Sequence, residues 1–187
     1  MKRAKRVLAL VGSPRVRGNT DILVTELLRG AKDAGARTKK IYLNRLKITP
    51  CQACYRCLKT GRCPIDDDMQ RLYDLIYDAD AIVFGTPIYW WTVSAQTKLC
   101  LDRWFAFLDA DYNSRIKGKS AAVIAVCADP GVREMTAGAL HLFKESLNFL
   151  GIKWKGSVIA AAHEKGEVAS NATAMQRAKE LGARLVS

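Results

Sequence analysis

The sequence predicts an α/β protein with a parallel sheet of five strands between two layers of helices. Five short apolar runs alternate with five segments of helical periodicity, which implies a parallel sheet because each crossover must cover a face of that sheet. The first apolar run also breaks at a Gly-containing polar loop that leads directly into a helix, a common arrangement in α/β proteins. With 187 residues and 49% hydrophobic content, the chain suits one domain, residues 1–187.

The first strand and helix enclose a loop that suits a phosphate group. Residues 7–11 are uniformly apolar and predict a buried strand, which ends at Gly12. A helix over residues 19–34 follows, with Ile22, Leu23 and Leu27 on one face. The N–H groups at its start, with nearby hydroxyl and guanidinium groups, would bind an anion. An ordinary βα turn is the alternative; the candidate ligands are Ser13, Arg15, Asn19 and Thr20.

A second strand, residues 36–43, alternates weakly and belongs at or near a sheet edge. The irregular stretch that follows, residues 44–68, is long for a connection inside a compact domain, and such loops are usually functional or disordered. Its four cysteines argue against disorder, so we interpret it as a cysteine-rich insertion. Residues 66–68 are three aspartates before a helix at 69–78, where capping is favoured over a metal site.

The rest of the chain continues the alternation of strands and helices. The predicted strands are 81–85, 121–127 and 154–162, and the predicted helices are 95–107, 135–150 and 167–186. Thr92 or Ser94 would cap the first of these helices. The count fits the flavodoxin-like strand order 2-1-3-4-5, a three-layer α/β/α sandwich that binds its ligand at the switch point between the first and third strands. The loops at 12–20 and 86–91 follow those two strands and should converge there.

The two converging loops suit a ligand with a phosphate at one end and a flat ring at the other. Neither GxxxxGKS/T nor GxGxxG is present, which disfavours a P-loop and a Rossmann dinucleotide site. Pro87, Tyr89 and Trp90 would form an aromatic wall opposite the phosphate loop, unless they are only core or subunit contacts. The combination describes FMN.

Four cysteines in the insertion form the pattern CxxCxxCx5CP: Cys51, Cys54, Cys57 and Cys63. Three thiolates at this spacing can surround one corner of a [4Fe–4S] cluster, as in the ferredoxin run CxxCxxCx3CP. Zinc sites usually separate two CxxC pairs by a dozen or more residues, but zinc and unligated thiols both remain alternatives. Cys100 and Cys127 are expected to be small buried residues.

The formal net charge of +12 comes from scattered basic residues without a nucleic-acid recognition motif. We therefore expect no nucleic-acid partner and interpret the basic surface as solvated, although it would help recruit an acidic partner or a phosphorylated dinucleotide.

No apolar run is long enough to span a membrane, and the basic N-terminal run, residues 1–6, precedes only five apolar residues, too few for a signal peptide. We expect a cytoplasmic protein with no membrane partner.

Four motifs together resemble the iron–sulfur flavoproteins of the NADPH-dependent FMN reductase-like branch of the flavodoxin superfamily. They are GSPRxxGNT, the cysteine run leading into DDM, TPIYW, and VSAQTKLCLDRW, and they lie within residues 7–104. The resemblance implies that Ser13, Arg15, Asn19 and Thr20 bind the FMN phosphate. It also implies a ring site formed by Thr86, Pro87, Ile88, Tyr89 and Trp90, with Ala128 and Asp129 on the other flank.

By the same resemblance, Cys51, Cys54, Cys57 and Cys63 would hold one [4Fe–4S] cluster in a homodimer or homotetramer, with flavin and cluster close together, often across a subunit interface. The implied function is electron transfer between a ferredoxin-like or NAD(P)H donor and a small acceptor. Residues 128–133 and 162–166 depart from the glycine-rich segments of related proteins, which affects the ring edge and the substrate pocket. A cluster-free NAD(P)H-dependent FMN or quinone reductase and a zinc-stapled flavodoxin-like binding module are the alternatives.

Overall fold

The computed structural model describes residues 3–187; Met1 and Lys2, the first residues of the basic N-terminal run, lie outside the described residues. Five parallel strands form the sheet in the order β2-β1-β3-β5-β6, so the predicted flavodoxin-like topology is confirmed. These strands are β1 (Arg6–Val11), β2 (Arg37–Tyr42), β3 (Ala81–Tyr89), β5 (Ser120–Cys127) and β6 (Lys153–Ala161), and a short β4 (Thr92–Val93) pairs antiparallel with the end of β3.

Six α-helices accompany the strands in the described part of the chain: α1 (Asn19–Asp33), α2 (Cys57–Thr60), α3 (Met69–Asp78), α4 (Ala95–Asp102), α5 (Val132–Phe149) and α6 (Ala172–Arg184). Three 3₁₀ segments, Leu43–Arg45, Arg103–Phe107 and Glu167–Ser170, adjoin them. None of the described helices is both long enough and apolar enough to cross a membrane.

Alternation along the central strands separates two apolar cores, one on each face of the sheet. In β1, Val7, Ala9 and Val11 face the core shared with α1 and α6. Leu8 and Leu10 face the opposite core, which contains residues of α3, α4 and α5. Central strands buried on both faces read as continuous apolar runs, which is why the sequence signal for β1, β3 and β5 was strong.

The main difference from the sequence prediction lies after the third strand. Residues 86–89, predicted as a loop, continue β3, and the chain then reverses at Trp90 and Trp91 into β4. Thr86 stabilises this hairpin because its hydroxyl accepts a hydrogen bond from the Ser94 N–H at 3.0 Å. Both turn residues have positive φ, 50° and 60°, as in a type I′ turn, but both are bulky residues that rarely occupy that region.

Two predicted helices are divided in the structure. The helix predicted at 95–107 becomes 3₁₀ from Arg103 onwards. The helix predicted at 167–186 begins with a separate 3₁₀ turn, because the Asn171 side chain accepts the Ala174 N–H at 3.0 Å and starts α6. Ser94 caps α4, as expected.

Candidate functional site

A cavity of about 250 Å³ lies at the carboxyl ends of β1, β3 and β5. This is the switch point of the sheet, where the topology places a ligand. The cavity is lined at one end by Ser13, Arg15, Asn19 and Thr20, and elsewhere by Pro87, Ile88, Tyr89 and Ala128. The two predicted loops therefore converge on one cavity.

The loop after β1 is held in place by a hydrogen bond to β3 and by close contacts with the start of α4. The Gly12 N–H donates to the Gly85 carbonyl at 2.7 Å, and the Ser94 hydroxyl donates to the Gly12 carbonyl at 2.8 Å. A side chain at Gly12 would not fit, since its Cβ would lie 1.9 Å from the hydroxyl oxygen of Thr97. The loop backbone is thus fixed before any ligand binds.

Asn19 lines the cavity, and its side chain also binds the C-terminal loop. Its Nδ2 donates to the Glu164 carbonyl at 2.8 Å, and its Oδ1 accepts the N–H groups of Gly166 at 2.9 Å and Val168 at 3.2 Å. The side-chain amide therefore ties the C-terminal loop to the phosphate loop. At the start of α1 its backbone N–H belongs to the first turn, whose N–H groups have no partner within the helix.

Ser13 and Thr20 are almost fully buried, at 5% and 3% exposure, whereas Arg15 is exposed at the mouth of the cavity. The Ser13 hydroxyl accepts the Arg15 N–H at 3.2 Å. A guanidinium on the solvent side and hydroxyls on the inner side, next to a helix N-terminus, are groups whose chemistry suits a phosphate dianion.

Three residues predicted for the ring site do not line the cavity. Thr86 is fully buried and acts through the hairpin, and Trp90 stands out in solvent at 87% exposure on the turn. The carboxylate of Asp129 accepts the Gly131 N–H at 2.6 Å and so shapes its own loop. Tyr89, by contrast, lines the cavity while remaining 46% exposed.

Sequence reasoning missed four residues that line the cavity: Val126, Cys127, Ala162 and His163. Cys127 is buried, as expected, but it ends β5 and its thiol donates to the Asp129 carbonyl at 3.2 Å. Burial, followed by the charge of Asp129, raises the pKa of this thiol. Its position at a strand end was the available signal, because the carboxyl ends of neighbouring parallel strands share one edge.

Beneath the phosphate loop lies a buried carboxylate, Asp21. It pairs with Lys40 at 2.6 Å and accepts hydrogen bonds from the Arg17 N–H at 2.8 Å and the Tyr42 hydroxyl at 3.0 Å. Burial would raise the pKa of Asp21, but the hydrogen bonds from Lys40, Arg17 and Tyr42 outweigh it and leave that pKa below its ordinary value. The network holds Arg17, which has a φ of 57°, and so fixes the far side of the loop.

The second predicted site lies in the cysteine-rich insertion, predicted at residues 44–68. The 3₁₀ helix Leu43–Arg45 takes up its first residues, and the rest, residues 46–68, is called the cysteine loop. All four thiols are free; Cys51 and Cys54 are exposed, while Cys57 and Cys63 are buried. Hydrogen bonds from Arg56 lower the pKa of Cys54. Burial, and then the neighbouring thiols with Cys63 foremost, raise the pKa of Cys57. The thiols are therefore near enough to influence one another.

The four thiols are not gathered into a coordination site. Over residues 3–187, no three or more His, Cys, Asp or Glu side chains come together as a metal site. The three aspartates at 66–68 do not form one either: Asp67 pairs with Arg103 at 2.6 Å and accepts the Met69 N–H, and Asp68 accepts the Lys47 N–H. The bond from the Met69 N–H, in the first turn of α3, agrees with the capping interpretation, whereas the bond from Lys47 ties the two ends of the loop together.

Comparison with known proteins agrees with the topology of the sheet. The family model described as NADPH-dependent FMN reductase matches residues 5–165. An iron–sulfur flavoprotein of Methanocaldococcus jannaschii is 34% identical over 139 residues, which are 74% of this chain and 70% of that protein. An iron–sulfur flavoprotein of Archaeoglobus fulgidus is 42% identical over 123 residues, 66% of this chain, and the match spans 62% of that relative's length.

Among solved structures, an NAD(P)H:quinone oxidoreductase from Methanothermobacter marburgensis superposes with a TM-score of 0.80 at 20% identity, covering 99% of this chain and 98% of that one. At this identity the likeness shows a shared fold. Membership is shown by the family model, which spans most of the chain. The chain belongs to the NADPH-dependent FMN reductase family of flavin-dependent oxidoreductases.

Proposed function

We propose that this protein is an FMN-dependent oxidoreductase that passes electrons from NAD(P)H or a ferredoxin-like donor to a small acceptor, with a [4Fe–4S] cluster bound by Cys51, Cys54, Cys57 and Cys63. The observation that carries the flavin part is the cavity of about 250 Å³ in which a phosphate-type helix start faces Pro87, Ile88 and Tyr89. Family membership supports the same cofactor.

The phosphate end fits FMN by its chemistry. In the proposal, Ser13 and Thr20 donate hydroxyl hydrogen bonds, Arg15 contributes its charge from the mouth, and the first turn of α1 contributes backbone N–H groups. Asn19 acts on the loop that carries Gly166 rather than on the phosphate through its amide. These groups bind and orient; none of them needs to transfer a proton.

The ring end fits a flat heterocycle with one face toward protein and one edge toward solvent. Ile88, Val126 and Ala162 provide apolar surface, and Tyr89 provides an aromatic ring at the mouth. Cys127 and the backbone after it would meet the ring edge, with the thiol held by the Asp129 carbonyl. The role of these residues is to exclude water and to orient the ring for a donor that arrives from solvent.

The cysteine loop fits a cluster in its donor chemistry. Four free thiols lie on one loop, and the pKa of Cys54 is lowered by Arg56, which favours its thiolate form. Curated relatives whose names include iron–sulfur flavoprotein support the assignment. When bound, FMN would accept a hydride and release single electrons, which the cluster would carry onward.

A homodimer or homotetramer completes the proposal. An apolar groove of about 270 Å³ between α4 and α5 includes Leu101, Phe105, Leu142 and Phe149, and Phe149 is 63% exposed. Exposed apolar surface of this kind is typical of a contact between subunits. A second subunit on this face would bring its own surfaces near the cysteine loop, because Phe105 contacts Tyr55 within that loop.

The decisive experiment is anaerobic purification followed by a visible spectrum and metal analysis. Flavin bands with about four irons per chain support the proposal, since one [4Fe–4S] cluster contains four irons and takes four thiolates. Flavin without iron favours the second candidate, a cluster-free NAD(P)H-dependent FMN or quinone reductase. The observation behind that candidate is that the four thiols are not gathered among the described residues. Zinc without flavin would leave only a zinc-stapled binding module and would contradict both redox functions.

A further inference from the structure

One buried ion pair closes the base of the cysteine loop. The side chains of Arg103 and Asp67 are 0% and 6% exposed. Arg103 donates through Nη1 to Asp67 Oδ2 at 2.6 Å and to the Thr49 carbonyl at 2.7 Å, and through Nη2 to Asp67 Oδ1 at 3.2 Å. Asp67 in turn accepts the N–H groups of Thr49 at 2.8 Å and Met69 at 3.0 Å. The pair therefore joins the two ends of the segment that contains all four cysteines.

An ion pair in this position is not needed for stability alone. Replacing a buried ion pair with apolar residues of similar volume is often neutral or stabilising, because desolvation offsets the attraction. Arg103 also has an Nε–H that is buried without a partner among the described residues. A buried guanidinium with one unsatisfied donor is costly, so its presence under this loop calls for a specific role.

Arg103 lies on the same side of the fold as the two buried thiols. Cys57 and Cys63 belong to the apolar core that includes Tyr73 and Trp104, the residue next to Arg103. The Tyr73 hydroxyl donates to the Arg103 carbonyl at 3.0 Å. The ion pair at the base of the loop and the two buried thiols are therefore held by the same core.

The fork of an arginine is needed for this geometry. One guanidinium reaches a carboxylate with two nitrogens and a carbonyl with one of them, whereas a lysine ammonium offers a single point of charge. The side chain thus closes the loop through its bonds to Thr49 and Asp67, and neither residue lines the FMN cavity.

We propose that Arg103, oriented by Asp67, is a positioning residue of the cysteine site: it holds the two ends of the loop together and keeps Cys57 and Cys63 inside the fold, in place to bind a metal cluster. The cluster as ligand rests on the proposed function. The closing of the loop does not, and it is measured separately.

The first test uses the metal-free protein and two substitutions, Asp67→Asn and Thr49→Pro. The hydrogen bonds that join Arg103, Asp67 and Thr49 form a clamp at the base of the loop. Each substitution removes bonds of this clamp while keeping Arg103. Modification of the thiols by iodoacetamide is followed by mass spectrometry, and we expect Cys57 and Cys63 to react at least about tenfold faster than in the parent, as expected when a buried thiol becomes accessible. Cys100, fully buried in the core, should keep its rate.

Asp102→Asn serves as the matched control, because it breaks the exposed Lys98–Asp102 pair on the adjacent helix. It should leave all thiol rates unchanged. Unchanged rates at Cys57 and Cys63 in both clamp variants would overturn the proposal. A parallel rise at Cys100 would also overturn it, because the pair would then support the whole core rather than the loop.

The second test uses anaerobic reconstitution with iron and sulfide. Asp67→Asn should reduce iron per chain to less than about half that of the parent, at unchanged flavin content, because the loop ends separate. In the fraction that loads, the cluster midpoint potential should shift upward, since a negative charge has been removed beside it while Arg103 remains. Full loading at an unchanged potential contradicts the proposal. If the parent itself takes up no iron, the proposed cluster fails, and the alkylation rates still decide whether the clamp exists.

Discussion

Two loops leave the same edge of the sheet, and each has a buried carboxylate paired with a cation. The phosphate loop after β1 has Asp21 with Lys40, at 5% and 23% side-chain exposure. The cysteine loop after β2 has Asp67 with Arg103. The first loop is fixed along its whole length and lines a cavity, whereas the second is fixed at its base and leaves Cys51 and Cys54 exposed.

The difference follows from what each site is made of. An anion site built on a helix start uses N–H groups that the helix has already aligned, so it forms with the fold. A metal site built from thiols brings like charges together, which is favourable only when the metal is present. We therefore expect ligand removal to leave the phosphate loop unchanged and to change the cysteine loop.

The largest expected effect separates the two sites. Cys54→Ala should abolish iron binding, from about four irons per chain to nearly none, because one of four thiolate ligands is lost. Flavin content should stay within about twofold, since the substitution lies outside the cavity and on an exposed residue. Metal analysis and the flavin spectrum of the same sample measure both.

Cys100→Ala is the control for that prediction. It also removes a cysteine, but one on α4 and outside the loop, so iron content should be unchanged in the folded protein. Loss of flavin with iron retained in Cys54→Ala would contradict the division into two sites.

The next effect concerns the phosphate loop. Arg15→Ala should weaken FMN binding by about tenfold to a hundredfold, since a hydrogen bond to a charged group contributes about 1.5–3 kcal/mol. Arg17→Ala is the matched control, because Arg17 is two residues away, also exposed and absent from the cavity lining. Titration of the apoprotein with FMN, followed by flavin fluorescence, measures both. Equal weakening in the two variants would mean that only the overall positive charge matters.

The sequence was most informative about the strands and about the loops whose positions follow from the strand order. Residues 7–11 and 81–85 were recognisable as central strands from their apolar runs, and the order of strands then determined which loops converge. The hairpin at Trp90 and Trp91 was not recognisable, because type I′ turns are normally signalled by Asn or Gly. Here the turn is imposed by tertiary bonds such as that between Thr86 and Ser94.

Side-chain roles that depend on distant partners were also beyond the sequence. Asn19 binds backbone groups about 145 residues away, and Asp67 pairs with Arg103, 36 residues away. A local pattern predicted Asn19 for the phosphate site, whose cavity it does line, and predicted a helix cap for Asp67, but neither pattern could reveal these distant side-chain partners. Cys127 was predicted to be buried, but its place in the cavity depends on the register of β5 against β3.

A smaller effect concerns the ion pair between Asp21 and Lys40 beneath the phosphate loop. Lys40→Met should lower the free energy of unfolding by about 1–3 kcal/mol at pH 7, because Asp21 loses a charged partner. Asp21 has a depressed pKa when folded, so its stabilising contribution is present above its unfolded pKa, about 3.9, and is lost as the pH falls through the folded value. The difference between parent and variant should therefore shrink below about pH 4.

Urea unfolding between pH 3 and pH 7 measures this dependence. Lys39→Met, an exposed neighbour on the same strand, is the control and should change stability by less than about 0.5 kcal/mol. An equal loss in Lys40→Met at pH 3 and pH 7 would show that the packing of the lysine stem, rather than the ion pair, braces the loop.

The smallest effect marks where the preformed site ends. Trp90 is 87% exposed and does not line the cavity, whereas Tyr89 does. Trp90→Ala should change the dissociation constant for FMN by less than about twofold, and Tyr89→Ala should raise it by about twofold to tenfold, since an aromatic contact contributes about 0.5–1.5 kcal/mol. Fluorescence titration of the two variants side by side makes the comparison. Equal weakening would extend the flavin site to the tip of the hairpin and would mean that this part of it closes only when the ligand is bound, as we expect for the cysteine loop with its metal.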